Sequence, residues 1–135
     1  MSEDAGKGLL SHGLSHVNLA IRDEQASRDF YVGLLGLEEV WRMPQPQPGL
    51  WLQAGQQQIH LLRPIDDAEL PPQRVLDRVP MAPHIAFSVR NAEDVAAKLR
   101  AAGVPVIFSE FVEGQAFFTD PSGNILEITE DAAHE

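Results

Sequence analysis

The strongest constraint on this chain is that it repeats itself. "SHVNLAIRD" at residues 15–23 and "PHIAFSVRN" at 83–91 share one pattern: a histidine, apolar residues at every second place, then Arg and a residue fit to cap a helix. At an offset of 68, His16 falls on His84, Val17 on Ile85, Leu19 on Phe87, Ile21 on Val89 and Arg22 on Arg90. Apolar alternation of period two marks a half-buried strand. Self-similarity on this scale means that one structural unit is used twice.

The match continues past the strands. "DEQASRDFYVGLLG" (23–36) and "NAEDVAAKLRAAG" (91–103) both read as amphipathic helices that open on Asp or Asn and close on Gly. The second copy drops one residue near the helix end. Beyond it an offset of 67 pairs Gly36 with Gly103, Trp51 with Phe118, Ile59 with Leu126 and His60 with Glu127.

Each half is therefore predicted as strand, helix and three short strands. The first half places them at 14–22, 24–35, 38–43, 49–54 and 57–63, and the second at 82–89, 91–102, 104–109, 115–120 and 124–130. "AGQQ" and "DPSGN" mark hairpin turns at matching places. The predicted class is α+β, with two tandem βαβββ modules at 14–63 and 82–130 within one domain spanning 14–130. A Pro-rich, charged linker at 64–81 joins them, a flexible segment is expected at 1–13, and a tail at 131–135.

Composition narrows the function. The 135 residues have room for one compact domain, and the net charge of −10 argues against a nucleic-acid backbone or an anionic membrane as partner. With no cysteine, disulfides, thiolate zinc sites and thiol nucleophiles are excluded, so any metal must rest on His and carboxylates. The start "MSEDAGKGLLSHG" has no basic segment followed by an apolar one, and no later run is long enough to span a bilayer. A cytoplasmic location is expected.

Strand alternation says which side chains share a face. If Val17, Leu19 and Ile21 are covered by a helix, His16, Asn18 and Ala20 face the other way, and His84 likewise opposes Ile85 and Phe87. His60 in "QIHLL" and Glu127 in "ILEIT" occupy the same face of the last strand of each half. Two equivalent pairs result: His16 with His60, and His84 with Glu127. If the halves pack about a pseudo-twofold axis the four groups converge, and three imidazoles with a carboxylate suit a divalent first-row metal. Taken singly, a strand histidine is more often a hydrogen-bonded structural residue than a ligand. Equal positions in both halves turn the balance toward a metal site, whereas His12 and His134 lie in the expected tails.

"LSHVNLAIRD", "SRDFYVGLLGLEE", "GLWLQAGQQQIHLL", "PHIAFSV" and "FFTDPSGNILEITE" together resemble the vicinal oxygen chelate superfamily, over residues 14–130. That superfamily includes glyoxalase I, bleomycin-resistance proteins, fosfomycin-resistance transferases and extradiol dioxygenases. The resemblance implies that the two modules form a partly closed, barrel-like cleft holding a divalent ion (Zn, Ni, Co, Mn or Fe), and that the chain forms a homodimer. His16, His60, His84 and Glu127 match the family's metal-binding places. The implied activity is a glyoxalase-like lyase or isomerase on a small oxygenated substrate, in which the metal stabilises an enediolate or oxyanion.

In that reading Glu127 moves a proton between neighbouring carbons. His60 stands where glyoxalase I usually has Glu, so it is either ligand or base. Three alternatives belong to the same resemblance: an extradiol-type non-haem iron dioxygenase on His16, His84 and Glu127, a fosfomycin-type thiol transferase, and a metal-free small-molecule binding protein. A transferase would need cations at the site, for which Arg42, Arg63 and Arg74 are candidates. Trp51 and Phe118 either line the cleft or fill core.

Overall fold

The computed structural model describes residues 8–131. What the sequence suggests of residues 1–7 and 132–135, including His134, lies outside the described residues. Each half folds its strands into a four-stranded mixed sheet. In the first half β1 (His16–Ala20), β2 (Glu38–Val40), β3 (Gly49–Ala54) and β4 (Gln57–Leu62) take the order β1-β4-β3-β2. In the second, β5 (Ile85–Val89), β6 (Ile107–Phe108), β7 (Gln115–Thr119) and β8 (Ile125–Glu130) repeat it as β5-β8-β7-β6. The first strand of each half runs parallel to the last, and the other pairings are antiparallel.

The helices follow their strands as the capping signals require. Asp23 accepts from the Ala26 amide at 2.7 Å to start α1 (Glu24–Arg28), and Asn91 accepts from the Asp94 amide at 3.0 Å to start α2 (Ala92–Ala101). Gly36 and Gly103, with φ of 78° and 85°, take the left-handed turn that ends each helical stretch. One difference separates the two. In the first half α1 passes at Asp29 into a π-helical segment through Leu34. A π segment is an α-helix holding an extra residue, and the first half is the copy that is one residue longer here. The linker holds a single 3-10 turn at Asp67–Glu69.

A common core joins the halves. Ile21, Tyr31, Leu50 and Leu52 of the first pack in one cluster with Phe118 and Leu126 of the second, all fully buried. Burial of side chains this large contributes roughly 1.5–3 kcal/mol each. The "DPSGN" turn clasps the two modules. Asp120 accepts from the amides of Ser122 and Asn124, each at 2.9 Å, which shapes the turn. The Tyr31 hydroxyl donates to Asp120 at 2.6 Å, Asn124 Nδ2 to the Ala20 carbonyl at 2.8 Å, and the Arg22 amide to Ser122 Oγ at 2.8 Å. The Arg22 guanidinium completes the clasp by donating to the carbonyls of Ser122 and Pro71.

Among the described residues the two sheets are not joined by ladder hydrogen bonds, so they do not close into a barrel. They leave a cleft instead, of about 710 Å³, lined by residues of β1, β4 and β5 and by His84. No helix of the described residues is long and apolar enough to cross a membrane.

Candidate active site

Register decides which side chains meet on the sheets. On the first sheet His60 lies opposite Trp51 on β3 and opposite Asn18 on β1. His60 therefore shares a face with Trp51 and, diagonally, with His16. The three rings form a continuous stack: Trp51 on His60 with centroids 4.0 Å apart and planes at 2°, and His60 on His16 at 3.9 Å and 15°. His60 Nε2 meets Gln58 Oε1 at 2.8 Å, and His16 Nδ1 meets Ser15 Oγ at 3.2 Å.

His60 is buried at 9% exposure while His16 is exposed. Burial holds the His60 imidazole below its ordinary value of 6.5, and the positive charges of His16 and Arg42 act in the same direction. Arg42 Nη2 donates to the Gln47 carbonyl at 2.8 Å. Its Nε is the buried side-chain nitrogen left without a hydrogen-bond partner among the described residues. Arg63 pairs with Asp67 and Arg74 bonds to the Pro72 carbonyl, so both are spent on the linker.

The second sheet treats its pair differently. His84, just before β5, places Nε2 at 2.9 Å from Glu127 Oε1, and its Nδ1 at 2.8 Å from the Ala82 carbonyl. Gln115 on β7 donates to the other carboxylate oxygen at 2.9 Å. Phe117 meets the His84 ring edge-on at 5.5 Å and 80°. Glu127 is 7% exposed, yet both of its oxygens are engaged, so its burial is compensated.

The structure gathers the four polar groups two by two, His16 stacked on His60 and His84 against Glu127. Among the described residues no three His, Asp or Glu side chains stand together as a metal-holding group. His16 and His84 nonetheless line the same cleft, whose other walls include Val17, Ile59, Ile85 and Phe87. A volume of about 710 Å³ is of the size that takes a small organic ligand.

One expected equivalence is corrected. Phe117, not Phe118, is the counterpart of Trp51, because Phe117 lies opposite Glu127 as Trp51 lies opposite His60. The "DPSGN" hairpin takes one residue more than the "AGQQ" hairpin, which shifts β7 by one place and turns Phe118 into the core at 1% exposure. Gln115 was not foreseen as a site residue. The signal for it is the alternation Gln115, Phe117, Thr119 on the face that carries Glu127, legible only once the hairpin register is known.

Comparison with known proteins agrees with this architecture. Residues 13–128 match the family model described as the Glyoxalase/Bleomycin resistance protein/Dioxygenase superfamily. The chain is 33% identical over 135 residues to "Glyoxylase I 4" of Arabidopsis thaliana, covering 95% of this chain and 76% of that protein. A crystal structure of a glyoxalase family protein from Bacillus anthracis superposes with a TM-score of 0.71 at 27% identity, covering 87% of this chain and 93% of the other. The trypanothione-dependent glyoxalase I of Leishmania major shares the fold at a TM-score of 0.71 and 19% identity, over 92% of this chain and 90% of its own. With the doubled four-stranded sheet, the cleft between the halves and these matches together, the chain belongs to the glyoxalase, bleomycin resistance protein and dioxygenase superfamily.

Proposed function

We propose that the protein is a glyoxalase-like, metal-dependent lyase or isomerase that takes a small oxygenated substrate beside His16 and His84, the two candidate ligands that line the cleft between the sheets. The observation that carries this reading is the His84–Glu127 contact at 2.9 Å. Both nitrogens of His84 face oxygen atoms, the Ala82 carbonyl and Glu127, and a divalent cation would stand between Nε2 and the carboxylate. A ligating histidine whose second nitrogen is fixed by a backbone carbonyl is the usual arrangement at a metal. This pair fits a metal. The stacked His16–His60 pair does not fit in its stacked pose, and supplies ligands only once its rings turn.

When bound, a divalent ion supplies Lewis-acid stabilisation of negative charge developing on a substrate oxygen. The chain's own groups do the rest. Glu127 takes and returns the proton, with Gln115 holding one oxygen so that the other is presented beside His84. His60, whose imidazole burial shifts below its ordinary value, is the second base or ligand. Val17, Ile59, Ile85 and Phe87 give the cleft an apolar wall. A homodimer belongs to this reading, since Leu14, Trp41, Met43 and Phe111 are large apolar side chains left exposed on the single chain.

Elemental analysis of untagged protein, repeated for His84→Ala and Glu127→Ala, tests the reading. Stoichiometric metal in the parent and its loss in both variants is the expected result, followed by turnover of methylglyoxal with glutathione that falls by about 100-fold or more in Glu127→Gln. Metal-free parent protein would overturn it. That outcome would favour the second reading, a metal-free small-molecule binding protein, for which the closed ring stack is the supporting observation.

A further inference from the structure

Two glutamines of the first sheet stand between the β3–β4 turn and the His60 ring. Gln53 lies directly opposite Gln58 across the ladder, and Gln58 shares a strand face with His60 two places on. The three side chains therefore line up on one face. Gln53 Nε2 meets the carbonyls of Gly55 and Gln57 at 2.8 and 3.2 Å, Gln58 Nε2 meets Gln53 Oε1 at 3.3 Å, and Gln58 Oε1 meets His60 Nε2 at 2.8 Å.

The two backbone carbonyls fix the direction of this chain of hydrogen bonds. A carbonyl oxygen only accepts, so the end of the Gln53 amide that faces both of them is its NH2 group, and its oxygen accepts from Gln58. Gln58 thereby commits its NH2 to Gln53 and turns its oxygen to the imidazole. A neutral imidazole has one nitrogen that donates and one that accepts, so Nε2 carries the hydrogen and Nδ1 the lone pair. Nδ1 has no hydrogen-bond partner among the described residues, where the buried side-chain nitrogen left without one is Arg42 Nε, so Nδ1 keeps some exposure to solvent. The second half shows the opposite polarity, since Gln115 donates its NH2 to Glu127. Each half sets a glutamine amide against the acid–base group of its last strand, oxygen first to an imidazole and nitrogen first to a carboxylate.

We propose that Gln53 and Gln58 are positioning residues that hold neutral His60 as its Nε2–H tautomer, so that Nδ1 is the nitrogen with which it takes up a proton. The consequence for catalysis rests on the reading above, in which His60 serves as a base, whereas the tautomer stands on the hydrogen bonds alone.

Ring ¹⁵N shifts at about pH 8, above the range in which this imidazole is charged, read the tautomer directly. The chain has five histidines, and His60→Asn identifies the signals of His60. The parent should show Nε2–H as the dominant form. Gln58→Leu removes the acceptor and Gln53→Leu frees Gln58 to turn over, so each should raise the ratio of Nδ1–H to Nε2–H about two- to tenfold, as expected for the loss of one hydrogen bond. Either variant decides the matter should the other fail to fold. Comparable populations in the parent, or a ratio unmoved in the variants, would overturn the inference. With methylglyoxal and glutathione, Gln53→Leu should lower kcat by a similar factor at unchanged KM, because Gln53 does not line the cleft. A shifted ratio with unchanged kcat in an active enzyme would overturn the positioning role. An inactive parent would sink the reading above by itself, and the ring shifts would still decide the tautomer.

Discussion

Tyr31 is the single tyrosine of the chain and one of its most buried side chains, and its hydroxyl donates to Asp120 across the two modules. Burial raises its pKa well above the ordinary value of 10.0, and the nearby Asp120 carboxylate raises it further. The unfolded chain therefore ionises first: stability from this group is complete below pH 10 and is lost as pH rises from there toward the folded value. Phenolate absorbance, which here reports one residue, is expected to appear only together with unfolding. A phenolate signal growing near pH 10 in folded protein would contradict this placement, and Tyr31→Phe should remove the alkaline slope. At this scale the sequence made His16, His60, His84 and Glu127 legible, because alternation assigns a face to every strand residue. It could not supply the partners, since Gln115 and Gln58 meet their targets through contacts that depend on register and rotamer.

The helix of the first module shows how an alignment gap becomes a structural element. The repeat's offset changes from 68 to 67 between the first strand and the helix end, and the longer copy holds its extra residue as a π segment at Asp29–Leu34. A regular helix over 24–35 was the expectation, and the wider turn follows from keeping Gly36 at the matching exit with one residue more to accommodate. Gly33 sits in this segment with no atom within 4 Å of where a Cβ would stand. Gly33→Ala should stabilise the protein by about 0.4–1 kcal/mol, read as a higher urea midpoint at unchanged slope. A lower midpoint would mean that the segment needs glycine's freedom. Strand extents were legible to within a few residues, with His16–Ala20 and the shortest strand, Ile107–Phe108, each read four residues too long, the latter because its ladder partners cover only two residues.

Across the whole molecule the clasp between the modules depends on a close approach of the linker to the second-half turn. Gly123, at φ 98°, brings its α-carbon so near Pro72 that an added Cβ would stand 2.3 Å from the Pro72 carbonyl oxygen. Gly123→Ala should cost more than about 1 kcal/mol, seen as a lower melting temperature, since both the backbone conformation and the contact oppose a side chain. An unchanged melting temperature would show that the linker yields freely. The amino-acid sequence by itself determined the duplicated βαβββ plan, the superfamily and the strand face of each candidate ligand, because periodicity and caps are local and survive in one dimension. Only the tertiary structure decided that the four groups meet as two unlike pairs, His84 hydrogen-bonded to Glu127 and His16 stacked on His60 beside Trp51. That outcome rests on hairpin register and ring packing, which join residues far apart in the chain and change with a single added residue in a turn.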